Sequence, residues 1–93
     1  MPDANDPVPK VTGVEARAIA TAYPEFEKTL PDSKATDYDI HLREEGDVVV
    51  VVFVPRPGEG DENLLGGRTS RGREWSAWVS TEDFTVKKTS FAR

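Results

Sequence analysis

Cysteine is absent from this 93-residue chain, which excludes a disulfide framework, a zinc ribbon and a thiol nucleophile. Redox logic therefore assigns no compartment. Histidine occurs once, as His41, and the hydroxyl residues are scattered rather than set in a nucleophile motif, so no catalytic triad is recognisable. No apolar stretch reaches the roughly 18 residues that a membrane helix requires. A basic start followed by an apolar stretch is missing too, so no secretory signal is visible. The expectation is a cytoplasmic protein without membrane contact. A basic excess is also lacking: the net charge is −5. Residues 1–47 carry eleven acids against five bases and net −6, whereas residues 48–93 carry six acids against seven bases and net +1. A surface that tracks phosphates needs a clear positive excess, so this polarity speaks against nucleic acid and for a protein partner.

What the chain does have is valine. Six of the seven residues from Val48 to Val54 are valine, stiff at the first side-chain torsion and suited to a pleated surface. They predict a central strand, apolar on both faces, stopped by Pro55 and Pro57. Before it, Tyr38, Ile40 and Leu42 alternate with Asp37, Asp39, His41 and Arg43, a strand with one wet face. Glu45-Gly46-Asp47 is a tight connection between the two, hence an antiparallel hairpin. Trp75, Ala77 and Val79 alternate with Ser76, Trp78 and Ser80, and Thr81-Glu82-Asp83 turns the chain into a last strand from Phe84 to Phe91.

Upstream, Thr12-Gly13-Val14-Glu15 fits a capping box and predicts a helix start. Val14, Ala18, Ala22 and Phe26 recur every four residues, and Val11, Ile19, Tyr23 and Leu30 widen the stripe. Proline in a helix interior costs about 3 kcal/mol, so Pro24 predicts a kink or break at Tyr23 with a short second turn to Leu30. Residues 1–10, with three prolines and no periodicity, read as a disordered tail ahead of one domain over 11–93. A glycine-rich, charged segment at 56–73 reads as a long flexible loop, and loops of that length are functional or disordered. Its glycines lack the lysine and the following helix of a phosphate loop. The fold class is α+β: one N-terminal helix packed on a curved, four-stranded antiparallel meander with one sheet face left open.

This order resembles the cystatin-like superfamily. The resemblance is carried by Ala22-Tyr23-Pro24-Glu25-Phe26 at the helix end, the strand Val48 to Pro55, and Gly66-Gly67 ahead of Arg73-Glu74-Trp75-Ser76-Ala77-Trp78-Val79. It is most similar to PepSY-type inhibitory domains and nuclear-transport-factor-type immunity proteins, which implies stoichiometric blockade of a partner. The glutamine-valine-valine-alanine-glycine segment of true cystatins is absent, so protease inhibition does not carry over. Fold alone does not fix function.

Candidate chemistry is sparse. Asp37, Asp39 and His41 share a strand face at i, i+2 and i+4, about 6.8 Å apart by strand geometry, too far for one metal centre without bending. No metal and no cofactor is expected. Arg68, Arg71 and Arg73 precede Trp75 and Trp78, and arginine and tryptophan are enriched at binding hot spots. Trp75 and Trp78 stand an odd step apart, so if Trp75 faces the helix, Trp78 faces the open side with one parity of the valines. An uncovered apolar strip of this kind marks an interface with another protein or a second copy. Trp78 is the expected anchor, with Arg68, Arg71 and Arg73 as orienting charges and Asp37, Asp39 and His41 as a steering face for a basic partner. The expected role is non-enzymatic occlusion, inhibitor-like or immunity-like. Two alternatives are a small-ligand or enzymatic pocket between helix and sheet, lined by Tyr23, Tyr38 and Trp75, and a structural homodimer.

Overall fold

The computed structural model describes residues 10–56, 68–69 and 72–92, with only the backbone of Arg68, Thr69 and Gly72. Most of the expected tail at 1–10 and loop at 56–73 lies outside these residues. Helix α1 spans Gly13–Thr29. The capping box is present: the Thr12 hydroxyl accepts from the Glu15 N–H at 3.1 Å, and the Glu15 carboxylate accepts from the Thr12 N–H at 2.9 Å. Ala18, Ala22 and Phe26 are fully buried, whereas Val11, Val14 and Tyr23 are exposed, so the covered stripe is narrower than the periodicity predicts.

The expected break at Tyr23 does not occur; α1 runs through an exposed Pro24 as one element. Pro24 forfeits one hydrogen bond to the preceding turn. Phe26 lies one turn beyond Ala22, and only an unbroken helical phase seats both on the sheet. Aromatic packing around Phe26 offsets the local loss. Its ring stacks on Phe53 at 4.5 Å, meets Tyr38 edge-on at 5.0 Å and lies 6.1 Å from Trp75.

A 3₁₀ turn at Ala35–Asp37 leads into β1 (Tyr38–Glu45), β2 (Val48–Pro55), the two-residue strands β3 (Arg68–Thr69) and β4 (Gly72–Arg73), then β5 (Trp75–Ser80) and β6 (Val86–Phe91). The main sheet has the order β1-β2-β5-β6, antiparallel throughout, while β3 and β4 pair separately. This is the predicted α+β arrangement of one helix on an open four-stranded antiparallel sheet. Glu45 pairs with Val48 across a two-residue turn, and Gly46 takes φ +63° there, a conformation in which a side chain is strained.

Directly paired residues share a face of an antiparallel sheet, so the register sorts the side chains into rows. Toward α1 lie Ile40, Phe53, Trp75 and Phe91 in one row, and Leu42, Val51, Ala77 and Thr89 in the next. On the reverse face one row runs Arg43, Val50, Trp78, Lys88, and its neighbour runs His41, Val52, Ser76, Ser90. The core sits between α1 and the central strands β2 and β5.

Two sequence expectations are corrected at the sheet margins. Asp37 closes the 3₁₀ turn, its N–H donating to the Lys34 carbonyl at 2.9 Å, so it is not a strand residue and does not continue the Asp39–His41 face. Phe84 precedes β6 and belongs to the turn, at φ 52°. The β5–β6 register shifts at Trp78/Val79, where Lys88 opposes Trp78 but Val86 opposes Val79. That bulge absorbs Lys87 and lets Val86 and Phe91, of opposite parity, both pack against the core. At the same end of the sheet the two hairpin turns are tied together: the N–H and the hydroxyl of Thr81 both donate to the Asp47 carbonyl, at 2.9 and 3.0 Å.

Candidate functional site

The two tryptophans emerge on opposite faces, as strand parity requires. Trp75 is 1% exposed beneath α1, whereas Trp78 is half-buried on the reverse side. Val48, Val52 and Val54 on that side are also half-buried, and Val50 is completely buried there, on the side away from α1. The register explains Val50: Arg43 flanks it on β1 and Trp78 on β5, and long neighbours cover a short central residue. Lys88 in turn lies over the Trp78 ring, its ammonium 4.4 Å from the centroid. The reverse face is thus an apolar strip whose two ends are cations.

The acidic rim is on β1. Asp39 and His41 are exposed and share the face with Trp78. Asp39 lies 4.0 Å from the Arg56 guanidinium, and Arg43 is paired with Glu45 at 2.5 Å. These pairs are largely wet and contribute little to stability. Asp83, at the β5–β6 turn, accepts from the Thr85 hydroxyl at 2.8 Å and from Lys87 at 3.2 Å, which together hold its carboxyl below the usual range.

Of the three arginines, Arg73 is the one whose side chain is described, and it does not lie against Trp78. Arg73 stacks on the Phe91 ring at 4.2 Å, and Phe91 pairs with Trp75 on the helix side. Arg68 lies in β3, and Arg71 falls outside the described residues. Tyr38 and Trp75 are core residues, 6% and 1% exposed. Tyr23 instead borders a surface depression of about 310 Å³ with Phe26, Glu27, Ser33, Lys34, Ala35 and Thr36. The Tyr38 hydroxyl bonds Ser33 at 3.3 Å beneath that rim.

Among the described residues no three His, Asp or Glu side chains group as metal ligands. No helix among them is long and apolar enough to cross a membrane. Sequence reasoning missed Arg43 and Lys88 as the flanks of the apolar strip. Counting the register outward from Gly46 finds Arg43 opposite Val50; the Lys88 position depends on a bulge that the β6 sequence does not announce. No protein-family model, curated protein or solved structure matches the chain.

Proposed function

We propose that this protein is a non-enzymatic binding module that acts by occluding a protein partner, inhibitor-like or immunity-like, through the sheet face opposite α1. One observation carries the reading: Trp78 is half-buried on the face that α1 does not cover, at the centre of a strip formed with Val48, Val52 and Val54. Tryptophan in the middle of such a strip is the residue type most often found as an interface anchor. Asp39 and His41 on β1 and Lys88 on β6 form a polar rim of both signs, which orients a partner more than it binds it. A partner that seats on Trp78 displaces or stacks upon Lys88.

The test is capture from the native host on immobilised wild type and on Trp78→Asp, with far-UV circular dichroism confirming that the variant is folded. The proposal expects at least one protein held by wild type and lost from the variant. Identical capture by the two would overturn it. Self-association through this face, the homodimer alternative, is read from the concentration dependence of light scattering for the same pair of proteins.

A further inference from the structure

The two edges of the main sheet are built differently. The β6 edge carries adjacent lysines, Lys87 and Lys88, and a bulge, both of which deter pairing with another strand. The β1 edge is eight residues long and pairs with β2 without interruption; it has no proline and no lysine. Its orphan backbone groups follow from the ladder. The Arg56 N–H donates to the Asp37 carbonyl at 2.9 Å just ahead of β1, and this one bond sets the phase of the ladder even though the Asp37 N–H turns back to Lys34. By the two-residue alternation of an antiparallel ladder, Asp39, His41, Arg43 and Glu45 also direct their N–H and C=O groups to β2. Ile40, Leu42 and Glu44 direct theirs outward, to the open edge.

We propose that this edge docks a second copy of the chain, β1 against β1, antiparallel about a two-fold axis at His41. With His41 opposite His41 of the second copy, Ile40 faces Leu42 and Leu42 faces Ile40 as hydrogen-bonded pairs, which are the residues whose backbone groups point outward. On the helix side this register covers two apolar side chains of β1 that α1 leaves uncovered, Ile40 at 39% exposed and the half-buried Leu42. On the reverse side it places Asp39 opposite Arg43, and Arg43 opposite Asp39, so the sequence Asp39-x-His41-x-Arg43 is complementary to itself when reversed. Arg43 keeps its Glu45 contact through Nε, leaving its terminal nitrogens for the carboxylate of the second copy. Moving the axis to Leu42 sets Asp39 against Glu45, two like charges. Moving it to Ile40 draws Asp37 into the ladder, where the 3₁₀ turn keeps it from being extended. The His41 axis pairs residues 38–44, seven of the eight in β1, and matches Asp39 with Arg43; Glu45 alone falls beyond the paired segment. The product is a continuous eight-stranded sheet, an isologous dimer with closed symmetry.

Because the chain has no cysteine, one introduced thiol reports the register. In oxidising conditions His41→Cys is expected to form a covalent dimer, since a directly opposed, non-hydrogen-bonded pair has the Cα separation that a disulfide accepts. Ile40→Cys and Leu42→Cys are expected to cross-link poorly alone but readily when mixed. Asp39→Arg and Arg43→Asp should each weaken the dimer about tenfold by opposing like charges twice across the axis, and mixing the two variants should restore it. Trp78→Asp should leave this dimer intact, which separates it from binding through the sheet face. A wild-type protein that is monomeric by light scattering at millimolar concentration overturns the proposal. So does self-cross-linking at position 40 or 42 as fast as at 41, or self-association abolished by Trp78→Asp.

Discussion

The Lys88 ammonium lies 4.4 Å from the centroid of the Trp78 ring, so the protein shelters its one outward-facing indole with a charged neighbour from the edge strand. An exposed cation–π pair of this kind contributes about 0.5–1 kcal/mol. Lys88→Ser should lower stability by that amount and shift tryptophan emission to longer wavelength, against the constant blue contribution of buried Trp75. Urea titration followed by fluorescence measures both. An unchanged emission spectrum would mean that the lysine stem does not cover the ring.

Phe26 is the single side chain through which α1 meets Phe53, Tyr38 and Trp75 together. Truncating a buried phenylalanine costs about 3–5 kcal/mol. In a domain whose total stability is roughly 5–10 kcal/mol, Phe26→Ala should remove about half of it or more and lower the urea midpoint accordingly. Phe26→Leu should remain folded, with a lower urea midpoint.

Pro24 is exposed inside a continuous helix. Alanine there regains the hydrogen bond to the preceding turn and removes the ring clash, so Pro24→Ala should stabilise the protein by up to about 3 kcal/mol. Thermal denaturation checks this. A fall in melting temperature would mean that the helix depends on a bend at this position.

Phe84 holds a left-handed backbone, φ 52°, with the Arg17 guanidinium 4.9 Å from its ring centroid and its side chain against the core. Strain at such a position is worth roughly 1 kcal/mol or somewhat more. Ring burial is worth about 1.5–3 kcal/mol. Phe84→Gly removes both, and a net loss of about 1 kcal/mol is expected from urea titration. A net gain would show that the ring contributes less than the backbone gives up.

Asp83 is acidified chiefly by the Thr85 hydroxyl, then by Lys87. A carboxylate whose folded-state pKa lies below its unfolded value adds stability that is full above the unfolded value, here about 3.8, and is lost as pH falls through the folded one. Asp83→Asn should therefore be less stable than wild type near neutrality. The two should converge in strong acid, as read from urea midpoints at each pH.

The helix start, both hairpins and the opposition of the two tryptophans were legible because each rests on short-range chemistry: a capping box, a Gly46 turn, a two-residue period. The local penalty at Pro24 predicts a kink or break, and the helix is not broken because Phe26 joins an aromatic cluster on folding that the local penalty does not count. Asp37 and Phe84 were placed in strands because alternation of residue type continues past the points where the backbone leaves the ladder. Arg73 and Trp78 are neighbours in sequence, yet Arg73 stacks on Phe91, which the β5–β6 register places on the other side of the sheet. Tyr38 and Trp75 enter the core whereas Tyr23 stays on the surface, a division that residue type alone does not reveal.

The carbonyl of Asp47 accepts two hydrogen bonds from Thr81, and this rivet joins loops that are 34 positions apart in the chain. With β2 and β5 also paired from Val48–Ser80 to Phe53–Trp75, the two hairpins are joined both along their ladder and at their turns, so neither turn opens without releasing the other.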